Sequence, residues 1–237
     1  MSTRTKKRAL VLGGSRGIGA AIVRRLATDG AEVTFTYAGS PEAAQTLAKE
    51  TGAKAVQSDS ASREATVRTV REAGPLDILV VNAGVAMIGE AIELDPDGVD
   101  RMIDINIRSP YHASVEAAKT MTDGGRIVII GSVNGDRVPF VGGAAYGMTK
   151  SAMQSLARGL ARDLGPREIT VNVVQPGPID TDMNPADGPM RDAMHSFLAI
   201  KRHGTPAEVA AMVAYLVGPE AGYVTGAMHT IDGGFGA

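Results

Sequence analysis

Leu10-Val11-Leu12-Gly13-Gly14-Ser15-Arg16-Gly17-Ile18-Gly19 is the stretch on which the fold of this chain turns. A short apolar β-type run enters a glycine-rich turn, and a helical pattern leaves it. Glycine tolerates positive φ and lets a backbone approach a ligand closely. A helix that begins at such a turn offers free N–H groups and the positive end of its dipole, which together suit a phosphate. The turn is not a P-loop, because no Gly-Lys-Ser/Thr closes it. Its spacing, Gly13-x-x-x-Gly17-x-Gly19, also departs from strict Gly-x-Gly-x-x-Gly. A merely tight turn is the competing reading. The place at the first strand–helix junction favours a nucleotide, with Gly13, Ser15, Arg16, Gly17, Ile18 and Gly19 around it.

On either side of this turn, short apolar runs alternate with helical patterns. Strands are expected at Ala9–Leu12, Glu32–Tyr37, Lys54–Gln57, Asp77–Val81, Arg126–Ile130, Thr170–Val174 and Met228–Ile231. Helices are expected at Ile18–Thr28, Pro41–Glu50, Arg63–Glu72, Val99–Met121, Tyr146–Leu164 and Pro206–Val217. Ser62 and Asp97 are expected N-caps, and Gly30, Gly52, Gly74 and Gly165 mark helix ends. This alternation predicts an α/β fold, a parallel sheet of seven strands with helices on both faces. No linker or repeat divides residues 1–237, which read as one domain. The segment 184–199 breaks the rhythm: a polar loop leads into a small apolar helix. A lid over a substrate site and an ordinary connecting excursion both fit it.

The 237 residues carry a net charge of −2, so no global basic surface calls for a nucleic-acid polymer or a membrane. There is no cysteine, which removes disulfides, thiolate catalysis and thiolate zinc sites. His112, His195, His203 and His229 are scattered, so no metal is expected. Met1–Arg8 is basic and polar, without a signal-like apolar stretch, and no run approaches a membrane span. The expectation is a cytoplasmic protein.

The second strand ends Phe35-Thr36-Tyr37-Ala38-Gly39-Ser40, with no acid to hydrogen-bond a ribose 2′-hydroxyl. The missing carboxylate, the guanidinium of Arg16 and the hydroxyl of Ser40 favour a 2′-phosphate, hence NADPH/NADP+ over NAD. The bland alternative for Arg16 is a solvated loop arginine. Tyr37 belongs to the same strand end. Further along, Tyr146 and Lys150 stand four residues apart, on one face of a helix. The ammonium is expected to stabilise the phenolate and lower the tyrosine pKa, which suits proton transfer to a substrate oxygen. Taken singly, each has an ordinary reading: a packing tyrosine and a solvated lysine.

With these residues placed, the chain resembles the classical short-chain dehydrogenase/reductase family over nearly its full length. Gly13, Gly17 and Gly19 match that family's glycine motif. Asn82-Ala83-Gly84 is similar to its Asn-Asn-Ala-Gly element, although Val81 replaces the first asparagine. Asn106 falls at its helix asparagine, Ser132 at its catalytic serine, and Tyr146 with Lys150 at its Tyr-x-x-x-Lys pair. Pro176-Gly177-Pro178-Ile179 and Thr181 match its cofactor-amide loop. Leu12 and Gly131 depart from the family's frequent threonine and serine.

The resemblance implies a Rossmann-type doubly wound sheet and an NADPH-dependent oxidoreductase that reduces a ketone or aldehyde to an alcohol. In that role Tyr146 donates the proton, Ser132 polarises the carbonyl, Lys150 lowers the tyrosine pKa and holds the nicotinamide ribose, and Asn106 holds a water. Asp59 and Ser60 after the third strand are adenine contacts; a strand-end cap is the alternative for Asp59. Asn82, Ala83 and Gly84 are expected at the adenosine ribose, and Thr181 at the carboxamide. Asn134, Phe140, Met183, Met190 and His195 are candidates for the substrate wall. Within the family, the chain is similar to 3-oxoacyl-carrier-protein reductases. Gly131–Arg137 and Gln175–Asp182 look more like bacterial members that bind cyclic di-GMP and mediate biofilm dispersal. One cyclic di-GMP signature pairs Arg-x-x-x-Arg, found at Arg4–Arg8 and Arg158–Arg162, with Asp/Asn-x-Ser-x-x-Gly, which is missing here. The resemblance also implies a homotetramer, with Val99–Met121 and Tyr146–Leu164 at one interface and the C-terminal segment at another.

Overall fold

The structure, a computed structural model, describes residues 6–237. Arg4, and with it the Arg4–Arg8 spacing, lies outside them. The strands are β1 (Arg8–Leu12), β2 (Glu32–Tyr37), β3 (Lys54–Gln57), β4 (Ile78–Val81), β5 (Arg126–Ile130), β6 (Thr170–Pro176) and β7 (Met228–Ile231). All seven join one sheet in the order β3-β2-β1-β4-β5-β6-β7, and every pairing is parallel. The order reverses at β1, which has β2 on one side and β4 on the other. A crevice opens at such a switch point, beyond the C-terminal strand ends.

The helices are α1 (Gly17–Thr28), α2 (Pro41–Thr51), α3 (Arg63–Ala73), α4 (Pro96–Ile103), α5 (Ser109–Ala118), α6 (Ala144–Leu164), α7 (Arg191–Phe197) and α8 (Pro206–Leu216). Side chains alternate across a strand, so each strand feeds two cores. Val11 and Phe35 pack with Ile22 and Leu26 of α1 and Val213 of α8. Leu10 and Leu79 pack on the other face with Ala113 of α5 and Met153 and Ala157 of α6.

Three local expectations are corrected. The N-cap of α4 is Asp95, whose Oδ2 accepts from Gly98 N at 3.0 Å, not Asp97. Pro96 at the first helical position explains the choice, since its missing N–H needs no partner there. At the end of α6, Gly165 keeps right-handed helical angles and enters a 3₁₀ turn; the reversal falls on Glu168, at φ 56°. Val99–Met121 is not one uniform helix. Between α4 and α5 the residues Asp104–Arg108 form a π turn. Pro110 supplies the reason, because it has no N–H for the carbonyl of Asn106 four residues back.

Among the described residues no helix is long and apolar enough to cross a membrane. The segment 184–199 folds into a loop and the short helix α7. Arg158 and Arg162 are exposed on α6.

Candidate active site

The glycine turn owes its shape to close backbone approach. Gly13 takes φ 75°, and a Cβ there would meet Ala83 Cα at 2.7 Å. A Cβ on Gly19 would lie 2.1 Å from the carbonyl oxygen of Gly13. Half-buried bonds fix the turn to its neighbours. Gly13 N donates to Thr36 Oγ1 at 2.9 Å, and Gly14 N to Thr36 O at 2.8 Å. Asn82 Nδ2 donates to Gly13 O at 2.6 Å. The amide of Asn82 therefore also serves the turn, while the residue lines the cleft.

Above the switch point lies a cleft of about 770 Å³. Every expected cofactor residue lines it except Gly19, which sits beneath Gly13. The acid-free end of β2 contributes Tyr37, Ala38, Gly39 and Ser40. Arg16 lies beside this end, with its guanidinium 3.6 Å from Asp182 in an open, exposed pair. Asp59 is both cap and wall: Oδ1 accepts from Ala61 N at 2.9 Å, and Arg101 lies 3.2 Å from Oδ2. The Ala61 N–H, with Arg101 behind it, holds this carboxyl below its ordinary range.

Tyr146 and Lys150 project from the first turns of α6 toward Ser132, at the end of β5. Lys150 Nζ lies 5.7 Å from the Tyr146 ring centroid and donates to Ile130 O at 3.2 Å. Burial lowers the Lys150 pKa to about 8. The Tyr146 phenol departs from the sequence-based expectation. Burial pushes its pKa up, and a hydrogen bond with Ser132 only partly opposes this. The physical reason is that a phenolate loses more to desolvation here than the neighbouring groups return. Ser132 is buried in extended conformation, with Oγ accepting from Asn134 N at 3.1 Å.

Asn106 does not line the cleft. Its Oδ1 accepts from Val85 N at 3.0 Å, and its Nδ2 donates to Val85 O at 2.9 Å and Thr149 Oγ1 at 3.0 Å. Thr149 in turn donates to Tyr146 O at 2.8 Å. Sequence reading missed this brace; a hydroxyl between Tyr146 and Lys150 was the available signal.

Of the expected substrate wall, Asn134, Phe140, Met183 and Met190 line the cleft. His195 does not. It turns away from the cleft, with Nε2 2.9 Å from His203 Nδ1. The helix α7 instead presents Met194 and Phe197, and Phe197 packs edge-on against Phe235 at 5.5 Å. No sequence signal pointed to Phe235, which lies near the C-terminus.

Comparison with known proteins finds relatives along the whole chain. Residues 13–236 match the family described as enoyl-(acyl carrier protein) reductase. The chain is 69% identical over 237 residues to the cyclic-di-GMP-binding biofilm dispersal mediator protein of Escherichia coli, covering 100% of both chains. It is 36% identical over 231 residues to the 3-oxoacyl-[acyl-carrier-protein] reductase MabA of Mycobacterium bovis, covering 96% of this chain and 92% of that one. The crystal structure of BdcA in complex with NADPH superposes with a TM-score of 0.96 at 70% identity, over 98% of this chain and 95% of that chain.

Proposed function

The chain belongs to the short-chain dehydrogenase/reductase family, and on that basis we propose that it is an NADPH-dependent oxidoreductase that reduces a ketone or aldehyde to the alcohol. The observation that carries this reading is the convergence of Ser132, Tyr146 and Lys150 in the cleft that the glycine turn opens.

The residues fit the cofactor. Gly13 and Gly17 both take positive φ, and a Cβ on Gly13 would strike Ala83, so glycine lets the turn draw its main chain in close at the cleft. The acid-free end of β2 and the guanidinium of Arg16 suit a 2′-phosphate. When bound, NADPH supplies the hydride at its nicotinamide C4. Tyr146 gives its proton to the carbonyl oxygen of the substrate. A raised phenol pKa keeps that proton in place at neutral pH, which favours reduction over alcohol oxidation. Ser132 Oγ accepts the Asn134 N–H at 3.1 Å and directs its own proton to Asn134 Oδ1 at 3.5 Å, a long bond that a substrate carbonyl oxygen would replace. Lys150, still protonated below about pH 8, supplies the positive charge beneath Tyr146 and a donor for ribose hydroxyls. The Asn106 amide is engaged by Val85 and Thr149 and so braces the helix that carries Tyr146 and Lys150.

Tyr146→Phe tests the reading. Turnover across a ketone and aldehyde panel, followed by NADPH absorbance, is expected to fall about 10³-fold, while NADPH binding by fluorescence stays near wild type. Wild-type-like turnover removes Tyr146 from the mechanism.

A second reading is favoured by the full-length 69% identity to a cyclic-di-GMP-binding protein. On it, the chain is a cyclic-di-GMP-binding mediator of biofilm dispersal, with catalysis secondary. Calorimetry with cyclic di-GMP, with and without NADPH, separates the two. Micromolar binding without turnover of any ketone selects the second reading. We also read the chain as a homotetramer on family grounds; a monomer by light scattering refutes that.

A further inference from the structure

Ser132 acts through a hydroxyl, and a hydroxyl is only as well aimed as its turn. That turn, Val133–Gly135, closes on Asp136, whose N–H donates to Val133 O at 3.0 Å. Two amides from other elements converge on the Asp136 carboxylate. Gln154 of α6 donates Nε2 to Oδ1 at 2.6 Å, and Gln175 of β6 donates Nε2 to Oδ2 at 2.8 Å. The same Gln175 nitrogen also donates to the main-chain oxygen of Ser132 at 3.1 Å.

The amide orientation is forced. Flipping Gln175 would set its oxygen against two acceptors, Ser132 O and Asp136 Oδ2. The cost of the chosen orientation is visible: Gln175 Oε1 is buried without a hydrogen-bond partner among the described residues. Both glutamines are buried. A polar cluster that accepts an orphaned oxygen in order to deliver one donor has been arranged around that donor. We propose that Asp136 is a positioning residue: through Gln154 and Gln175 it locks the turn that aims the Ser132 hydroxyl at the reacting oxygen.

The inference rests on the role given to Ser132 under the proposed function, and its test needs neither cofactor nor substrate. The Ser132 hydrogen bond lowers the Tyr146 pKa, so that phenol reports where the hydroxyl points. Apo protein is labelled with ¹³Cζ-tyrosine and titrated by NMR, with Tyr146→Phe assigning the signal. Asp136→Asn keeps one acceptor but sets an NH₂ against a glutamine NH₂, which opens the clamp. The Tyr146 pKa is expected to rise by about half a unit to one unit. Plain loss of a negative charge would move it down, so the sign separates positioning from electrostatics. In the double variant D136N/Q154E, the amide introduced by D136N donates to the carboxylate introduced by Q154E and accepts from Gln175. Net charge equals wild type, and the titration is expected to return.

No shift or a fall in D136N overturns the proposal, as does a folded double variant whose titration is not restored. Where D136N does not fold, Gln154→Leu, which removes one arm of the clamp, is measured against the same criterion. Ser132→Ala sets the reference. If it raises the Tyr146 pKa and D136N does not, the clamp alone fails; if neither moves it, the role of Ser132 fails with it.

Discussion

On the nucleotide side of the cleft, Gly13–Gly19 is held by half-buried bonds to Thr36 and Asn82, with gaps too small for a methyl group at Gly13, Gly14 and Gly19. On the substrate side, Met183, Met190 and Phe197 line the wall and stand 65%, 56% and 40% exposed, and a histidine pair and the Lys201 ammonium tie α7 to the chain that follows it. The first wall is rigid because a pyrophosphate demands backbone approach at fixed positions. The second is loose and apolar, so its shape can follow the ligand. Cofactor identity is thus written into packing here, while substrate identity is left to flexible side chains.

The most severe challenge to this contrast is a small change of volume on each wall. Gly19→Ala places a Cβ against the Gly13 carbonyl, a contact that backbone must move to relieve. Overpacking costs about 1–3 kcal/mol, and the turn that shifts is the one that holds the phosphates. NADPH affinity by fluorescence titration is expected to fall by up to about 150-fold, with a lower Tm. Met190→Ala is expected to leave both close to wild type. Similar losses in the two variants would end the distinction between the walls.

Lys150 extends the comparison to energetics. Its pKa drops from 10.5 to about 8, so the fold disfavours the charged form. That cost is fully present below pH 8, shrinks as pH rises, and vanishes above 10.5, because between these values the unfolded chain binds the extra proton. The shift amounts to roughly 3 kcal/mol, and the lost bond to Ile130 returns about 1 kcal/mol of it. Lys150→Met is therefore expected to raise the Tm of the apo protein at pH 7 by several degrees while abolishing carbonyl reduction. A lower Tm would show that the lysine stabilises its surroundings.

The rigid wall was also the legible one. Strand runs alternate in sequence, and glycines mark turns locally, so β2, β3, β5 and β7 carry their expected boundaries. What escaped depends on a local exception in one helix and on contacts between residues far apart. The π turn requires setting Pro110 against Asn106. The clamp on Asp136 joins side chains 18 and 39 positions away that share no periodicity. Whether His195 faces the cleft is decided by the rotation of α7 about its axis, which a seven-residue helix does not announce. The direction of the Tyr146 shift is a contest between burial and the hydrogen bond with Ser132, and a sequence shows neither.

A smaller effect concerns Arg16, which belongs to the rigid wall but lies open on its surface. A charge-assisted hydrogen bond contributes about 1.5–3 kcal/mol. Arg16→Ala is thus expected to lower the preference for NADPH over NADH by about tenfold or more, measured as the ratio of dissociation constants. An unchanged ratio would assign the discrimination to Tyr37 and Ser40 alone.

The smallest effect belongs to the loose wall and to pH. Burial, followed by the charge of His195 and that of Arg191, lowers the His203 pKa, and Asp180 opposes them. With α7 packed beside it, His203 is therefore favoured neutral. Where α7 opens, His203 regains the ordinary value near 6.5 and takes up a proton first. Above pH 6.5 this packing is indifferent to pH; below it, the packing weakens, by at most about tenfold per pH unit. Hydrogen exchange in Arg191–Phe197, corrected for intrinsic rates, should thus show more opening at about pH 5.5 than at about pH 8. Exchange at Asn82–Gly84 should show no such change, since that segment is fastened by main-chain and amide bonds with no titrating partner. Equal increases in both segments would mean that acid loosens the whole molecule and that the histidine pair is no separate fastening.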